Sequence, residues 1–111
     1  MANLTDLISD LVAATDQMKL AAQGDDWDMV ERVQKRRRVL IESIVEHAAH
    51  EPITEEDAER LRAVRRHEAT VAALAGTQRQ ALREAIAELQ GEGRIDKLSR
   101  MQRAYRDSGY S

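Results

Sequence analysis

Apolar residues recur three and four positions apart through most of this chain, and that period commits it to helices before any motif is considered. Leu4, Leu7, Ile8, Leu11, Val12 and Met18 form one such stripe, with Asn3 placed to cap it and Gly24 to close it, which predicts helix one over about 3–23. Trp27, Val30, Val33, Leu40, Ile41, Ile44, Val45 and Ala48 form a second over about 26–49, which Pro52 must stop because it lacks an N–H and restricts the residue before it. Thr54 then offers a cap, with Asp57 as a shortened capping-box acid. Leu61, Val64, Val71, Ala75, Leu82 and Leu89 carry helix three over about 55–90, roughly 50 Å at 1.5 Å per residue. Gly91 and Gly93 are expected to break it, leaving Ile95, Leu98, Met101 and Tyr105 on a short terminal helix over about 94–106.

The fold class expected is therefore all-α: an antiparallel bundle of three longer helices plus a short C-terminal fourth, in one domain over 1–111. Composition agrees. Of 111 residues 17 are alanine, three are aromatic and none is phenylalanine, which favours long thin helices over sheets and bulky cores. No apolar run approaches the roughly 18 residues of a membrane span, and no basic-then-apolar leader opens the chain, so a cytoplasmic, unprocessed protein with no membrane insertion is expected. The absence of cysteine removes disulfides and thiolate chemistry.

Charge is unevenly distributed. Met1 to Glu31 carries six aspartates and one glutamate against Lys19 alone, whereas Arg94 to Arg106 carries five basic residues against Asp96. Exposed pairs between such segments contribute only about 0–1 kcal/mol each, so the asymmetry guides docking rather than holding the fold.

Residues 24–28, Gly24-Asp25-Asp26-Trp27-Asp28, mark a bend that contains the sole tryptophan. Gly24 suits a left-handed helix close, Asp26 or a neighbouring aspartate suits the next cap, and the carboxylates of the first turn favour the positive end of the helix dipole. Trp27 is placed to staple the start of helix two against helix one.

Several features suggest sharper chemistry. Lys35-Arg36-Arg37-Arg38 looks like a phosphate patch, but four consecutive helical residues point around most of the circumference. Asp28, Glu31, Glu42 and Glu46 lie within ion-pair reach, so nucleic acid is not an expected partner. Arg37 differs from its neighbours because it falls on or beside the apolar stripe, where an arginine lays its stem on the core and pairs its head at the rim. His47 and His50 have no third ligand at diagnostic spacing, and a helix C-terminus already accounts for them, so no metal and no cofactor is expected. Glu68, beside His67, reads as a polar seam residue with Arg65 or a partner's side chain as counter-ion. Lys35, Arg37, Glu68 and Gln78 are the residue types of an all-helical chorismate-mutase site, without its specific spacing, and no catalytic residues are assigned.

The middle of helix three is lined by alanine and interrupted by Glu68 and Gln78, so it buries little area at about 25 cal/mol per Å². A second copy, the terminal helix or a helical partner could complete it, or the alanines could simply permit close packing.

The bend and the start of the next helix, Gly24, Trp27 and Asp28, then Val30, Val33, Arg37 and Leu40-Ile41, resemble the glycine, tryptophan-aspartate and arginine-with-paired-aliphatics signature of the flagellar export chaperone FliT family. The ending Ala104-Tyr105-Arg106-Asp107-Ser108-Gly109-Tyr110 is similar to that family's close, and the resemblance covers essentially the whole chain.

It implies a cytoplasmic four-helix chaperone that binds the filament-cap protein FliD before export and brings it to components of the export ATPase complex. The implied client groove comprises Leu40, Ile44, Val71, Leu74, Ala75, Gln78 and Leu82, with Leu98, Met101 and Tyr105 as its cover. Self-association is left open. The chain departs from the family at His67, where related chains often have an amide, and in a tail that ends at Ser111. The alternatives are a chaperone of hook-filament junction proteins, a non-flagellar helical scaffold and a nucleic-acid-binding bundle.

Overall fold

A computed structural model of the chain describes the backbone of residues 2–107 and the side chains of residues 2–91. Three helices follow in order: α1 (Leu4–Gln23), α2 (Trp27–Ala48) and α3 (Glu55–Asp107), with no strand among the described residues. The chain divides into two compact units, Met1–Ala75 and Gly76–Ser111.

In the first unit each helix starts on a side-chain cap. Asn3 Oδ1 accepts from Asp6 N–H at 2.8 Å, Asp26 Oδ1 from Met29 N–H at 3.2 Å and Thr54 Oγ1 from Asp57 N–H at 3.1 Å. Each satisfies one of the N–H groups that a helix start leaves unpaired.

The close of α1 differs from the sequence expectation in one respect. Gly24 has an ordinary φ of −89°, and the left-handed residue is Asp25, at φ 61°. The reason lies in the hydrogen bonds. Asp25 N–H donates to Ala22 O at 3.2 Å and Asp26 N–H to Ala21 O at 2.8 Å, the paired bonds of a Schellman motif, in which the left-handed position falls one residue beyond the cap. An aspartate tolerates that conformation better than most side chains. Here it also accepts a 2.6 Å hydrogen bond from the Trp27 indole Nε1–H.

The three-residue turn makes α1 and α2 antiparallel, and the N-terminal stretch of α3 lies along both. The core has two apolar clusters. Leu4, Leu7, Ile8, Leu11, Ile44 and Val64 form the first, joined by half-buried Val12, Leu40, Ala48 and Leu61. Ala14, Met18, Ala22, Val30, Val33 and Val71 form the second, joined by Ala21, Trp27, Met29, Leu40 and Leu74. A fully buried Leu, Ile, Val or Met contributes about 1.5–3 kcal/mol, so these short stripes supply the main driving force for the unit.

The separate fourth helix is not seen: α3 is assigned as one helix through Gly91 and Gly93 to Asp107. A glycine inside a helix costs only about 1 kcal/mol relative to alanine, which the surrounding run of Ala, Leu, Glu, Gln, Lys and Arg outweighs. Gly91 is not required by packing either, since a methyl group there would meet nothing within 4 Å.

In the second unit the side chains from Thr77 to Gln90 are exposed, with Leu82, Ile86 and Leu89 at steps of four and three along the helix.

Candidate functional site: a buried arginine and the face of α3

Between the two apolar clusters lies a polar layer centred on Arg37. Its position on α2 puts it on the core-facing stripe with Val33, Leu40 and Ile44, and its side chain is 9% exposed. The Nε–H donates to Thr15 Oγ1 of α1 at 2.9 Å. One terminal nitrogen lies 3.9 Å from Met18 Sδ, and the other pairs with Glu68 Oε1 of α3. One guanidinium thus touches both other helices of the unit, using its fixed fork of donors. The Glu68 side chain is 41% exposed, so water screens the pair and it is weaker than a fully buried one.

The counter-ion of Glu68 is therefore Arg37, thirty-one positions away in sequence, and Arg65 is exposed. Neighbouring His67 turns to α1, its Nδ1 lying 3.2 Å from Asp16 Oδ1 in an orientation that does not align as a hydrogen bond.

A second tie between α1 and α3 joins Thr5 and Asp57. Thr5 Oγ1–H donates to Asp57 Oδ2 at 2.7 Å, and Arg60 donates to Oδ1 at 3.1 Å. Asp57 is buried, yet its carboxyl is held below its ordinary value of 3.8, first by the Thr5 hydrogen bond and then by Thr54 and Arg60, against the opposing effect of burial. Further along α3 the ion pairs are internal to the helix: Arg60 with Glu56, Arg62 with Glu55 and Glu59, and Arg66 with Glu59.

The residues of the expected client groove fall into different settings. Leu40, Val71 and Leu74 meet in the second cluster, while Ile44 belongs to the first, with Leu40 packed against both. Ile44 and Val71 are buried, Leu40, Leu74 and Ala75 half-buried. Gln78 and Leu82 belong to the second unit, where both are exposed. The cover residues Leu98, Met101 and Tyr105 lie outside the described side chains.

Among the other candidates, Lys35 is exposed on α2, and His47 Nδ1 is engaged with Ser43 O at 2.8 Å. The ion pairs expected along α2 are not formed. Among the described residues Asp28, Glu31, Glu42 and Glu46 make none with Arg32, Lys35, Arg36 or Arg38, although several stand one turn apart. Long exposed side chains lose about as much entropy as such a contact returns, so solvation wins.

Sequence reading missed Thr15 and Asp57 as buried polar groups. The signal for Thr15 was available, since it stands between Leu11 and Met18 on the apolar stripe of α1; Asp57 reads only as a cap residue.

The fold and this layer define a small helical protein whose three elements are keyed together by one arginine. The family model of flagellar protein FliT matches residues 5–107, and the chain belongs to that family of flagellar export chaperones. Comparison with the curated proteins and with the solved structures finds no match. No helix among the described residues is long and apolar enough to cross a membrane.

Proposed function

We propose that the chain is the cytoplasmic export chaperone of the filament-cap protein FliD, shielding an apolar segment of that client and presenting it to components of the export ATPase complex. Membership of the FliT family supports the class of activity. The observation that carries the client reading is the line of exposed apolar side chains on α3, Leu82, Ile86 and Leu89, at i, i+4 and i+7. That spacing is the one by which a helix face receives an amphipathic partner.

In this reading Gln78 is a further contact on the same unit as Leu82, and Leu40, Leu74 and Ala75, backed by Ile44 and Val71, are contacts on the first unit. Leu98, Met101 and Tyr105 act as a cover that competes with the client for the same surface. Binding needs no covalent step.

Calorimetry with the C-terminal segment of the cap protein tests the reading. Leu82→Glu and Leu89→Glu should each weaken binding by at least about tenfold, the loss expected when a central apolar anchor is replaced by a charge. Deleting residues 95–111 should tighten it. Unchanged affinity in both leucine variants would refute this surface, and weaker binding by the truncated chain would refute the cover. Binding of hook-filament junction proteins in place of the cap protein would transfer the chaperone reading to that client.

A further inference from the structure

Among the described residues a single buried side-chain nitrogen or oxygen lacks a hydrogen-bond partner, and it is His67 Nδ1. It lies 3.2 Å from Asp16 Oδ1 of α1. The two side chains are 31% and 55% exposed, so water reaches the pair without reaching Nδ1 itself. A buried polar atom without a partner carries a desolvation cost that native folds ordinarily avoid. The cause lies in what a neutral imidazole can offer. It has one N–H for two nitrogens. With the proton on Nε2, Nδ1 turns a lone pair toward the carboxylate, and two acceptors face each other. With the proton on Nδ1 the contact gains a donor but no charge. Only the imidazolium supplies both an N–H at Nδ1 and a positive charge opposite Asp16.

We infer that His67 and Asp16 form a proton-operated clamp, which fastens α3 to α1 when the imidazole takes up a proton. The clamp has a permanent counterpart. Thr5–Asp57 and Asp16–His67 join the same two helices at levels about three turns apart on each. The first contact is a hydrogen bond to a carboxylate that stays ionised into acid, whereas the second depends on a group that titrates near neutrality. Immediately beyond the second, Val71 and Leu74 of α3 pack in the second apolar cluster. Proton uptake therefore tightens α3 where it enters that cluster.

The charges around His67 leave Asp16 as its available counter-ion. On α3 the positions one turn to either side are Ala63, Val64, Thr70 and Val71, none of them charged. The adjoining Arg66 and Glu68 are engaged by Glu59 and Arg37. On α2 the charged group of this layer is Arg37, held by Thr15 and Glu68. On α1, Lys19 stands one turn beyond Asp16, half-buried and in no ion pair among the described residues. Its like charge opposes the imidazolium, but the Asp16 carboxylate is in direct contact with the ring. The folded chain sets that carboxylate beside His67 and the unfolded chain does not. The contribution of the clamp is thus fully present at the acid end of the imidazole titration and is lost as the pH rises through it.

Urea unfolding of the full chain at about pH 5.5 and about pH 8, either side of an ordinary imidazole titration, supplies the test. A double-mutant cycle of Asp16→Asn and His67→Ala isolates the pair, and His47 and His50 cancel because every chain in the cycle carries them. Coupling should change the folding equilibrium constant by about two- to fivefold at the lower pH, the scale of a partly exposed ion pair, and by less than about 1.5-fold at the higher. His67→Arg supplies a cation that no pH in this range removes, so its coupling to Asp16 should be the same at both. Coupling between His67 and Asp16 that is absent, or equal at the two pH values, would overturn the inference. So would coupling of the arginine variant that varied with pH as the histidine does. Should His67→Ala fail to fold, the exposed substitution Asp16→Asn decides alone: wild type must exceed it in stability by more at about pH 5.5 than at about pH 8, and a constant difference would refute the clamp.

Discussion

The Arg37 layer yields a quantitative expectation because its three partners are unequally buried. Thr15 is 1% exposed, the Arg37 side chain 9% and that of Glu68 41%. In Arg37→Met the stem volume is largely kept while the guanidinium is lost. Thr15 then loses its partner, and a buried hydroxyl left unsatisfied costs about 1–3 kcal/mol. The Glu68 pair contributes at most about 1 kcal/mol after discounting for its exposure. The variant should therefore be destabilised by about 1–4 kcal/mol, with the loss at Thr15 dominant. In Thr15→Val the buried Nε–H is orphaned instead, at a cost of about 1–2 kcal/mol. Thr15→Val with Arg37→Met removes both polar partners and should be more stable than Arg37→Met alone, because replacing a buried pair by apolar groups of similar shape is close to neutral. Urea unfolding followed by Trp27 fluorescence and far-ultraviolet circular dichroism gives the double-mutant cycle. A coupling energy below about 0.5 kcal/mol, the level at which independent sites add, would refute the assignment of the buried hydrogen bond as the main contribution.

Asp57, held below 3.8 chiefly by Thr5, contributes stability that is fully present above 3.8 and is lost as the pH falls through its folded value. Asp57→Asn should therefore differ most from wild type above that pH and converge with it in stronger acid, and Thr5→Val should move the carboxyl titration upward by NMR. Gly24→Ala should be tolerated, or stabilising by about 0.5–1 kcal/mol in thermal melts, because Gly24 has a negative φ and its nearest obstacle is Leu20 O at 3.4 Å. Asp25→Val, in contrast, should cost about 1–2 kcal/mol or more at the left-handed position; indifference there would count against the Schellman close. Gly91→Ala should raise helicity by circular dichroism with a gain of about 1 kcal/mol or less, whereas a loss of helicity would argue for a break at that glycine.

Helices are legible in this sequence because two independent signals coincide at their starts. Periodic apolar residues begin immediately after Asn3 and Asp26, and at Leu61 beyond Thr54, and each of these three cap residues accepts a hydrogen bond from the first turn. What escapes the sequence is whatever depends on exact register or on long-range pairing. The left-handed residue is displaced from Gly24 to Asp25 because a Schellman close counts from the last helical turn, which spacing locates only to within a residue or two. Helix α3 continues through Gly91 because glycine penalises a helix without forbidding it. Local spacing offers Arg65 to Glu68, but the actual partner lies on another helix. Spacing also does not distinguish a core position from a groove position, and Ile44 and Val71 are enclosed in the two clusters while Leu82 is open.

The Arg37 layer carries an implication for how the family can vary. Thr15, Arg37 and Glu68 lie on three different helices, yet a change at Arg37 alters the environment of the other two together. The three positions are therefore expected to vary together. A relative that replaces the arginine by an aliphatic residue is expected to carry a small apolar side chain at the threonine position and to be free of any requirement for an acid at the third. Covariation of that triplet across relatives, with weaker coupling to positions inside either apolar cluster, is the evolutionary signature of a core divided by a single cation.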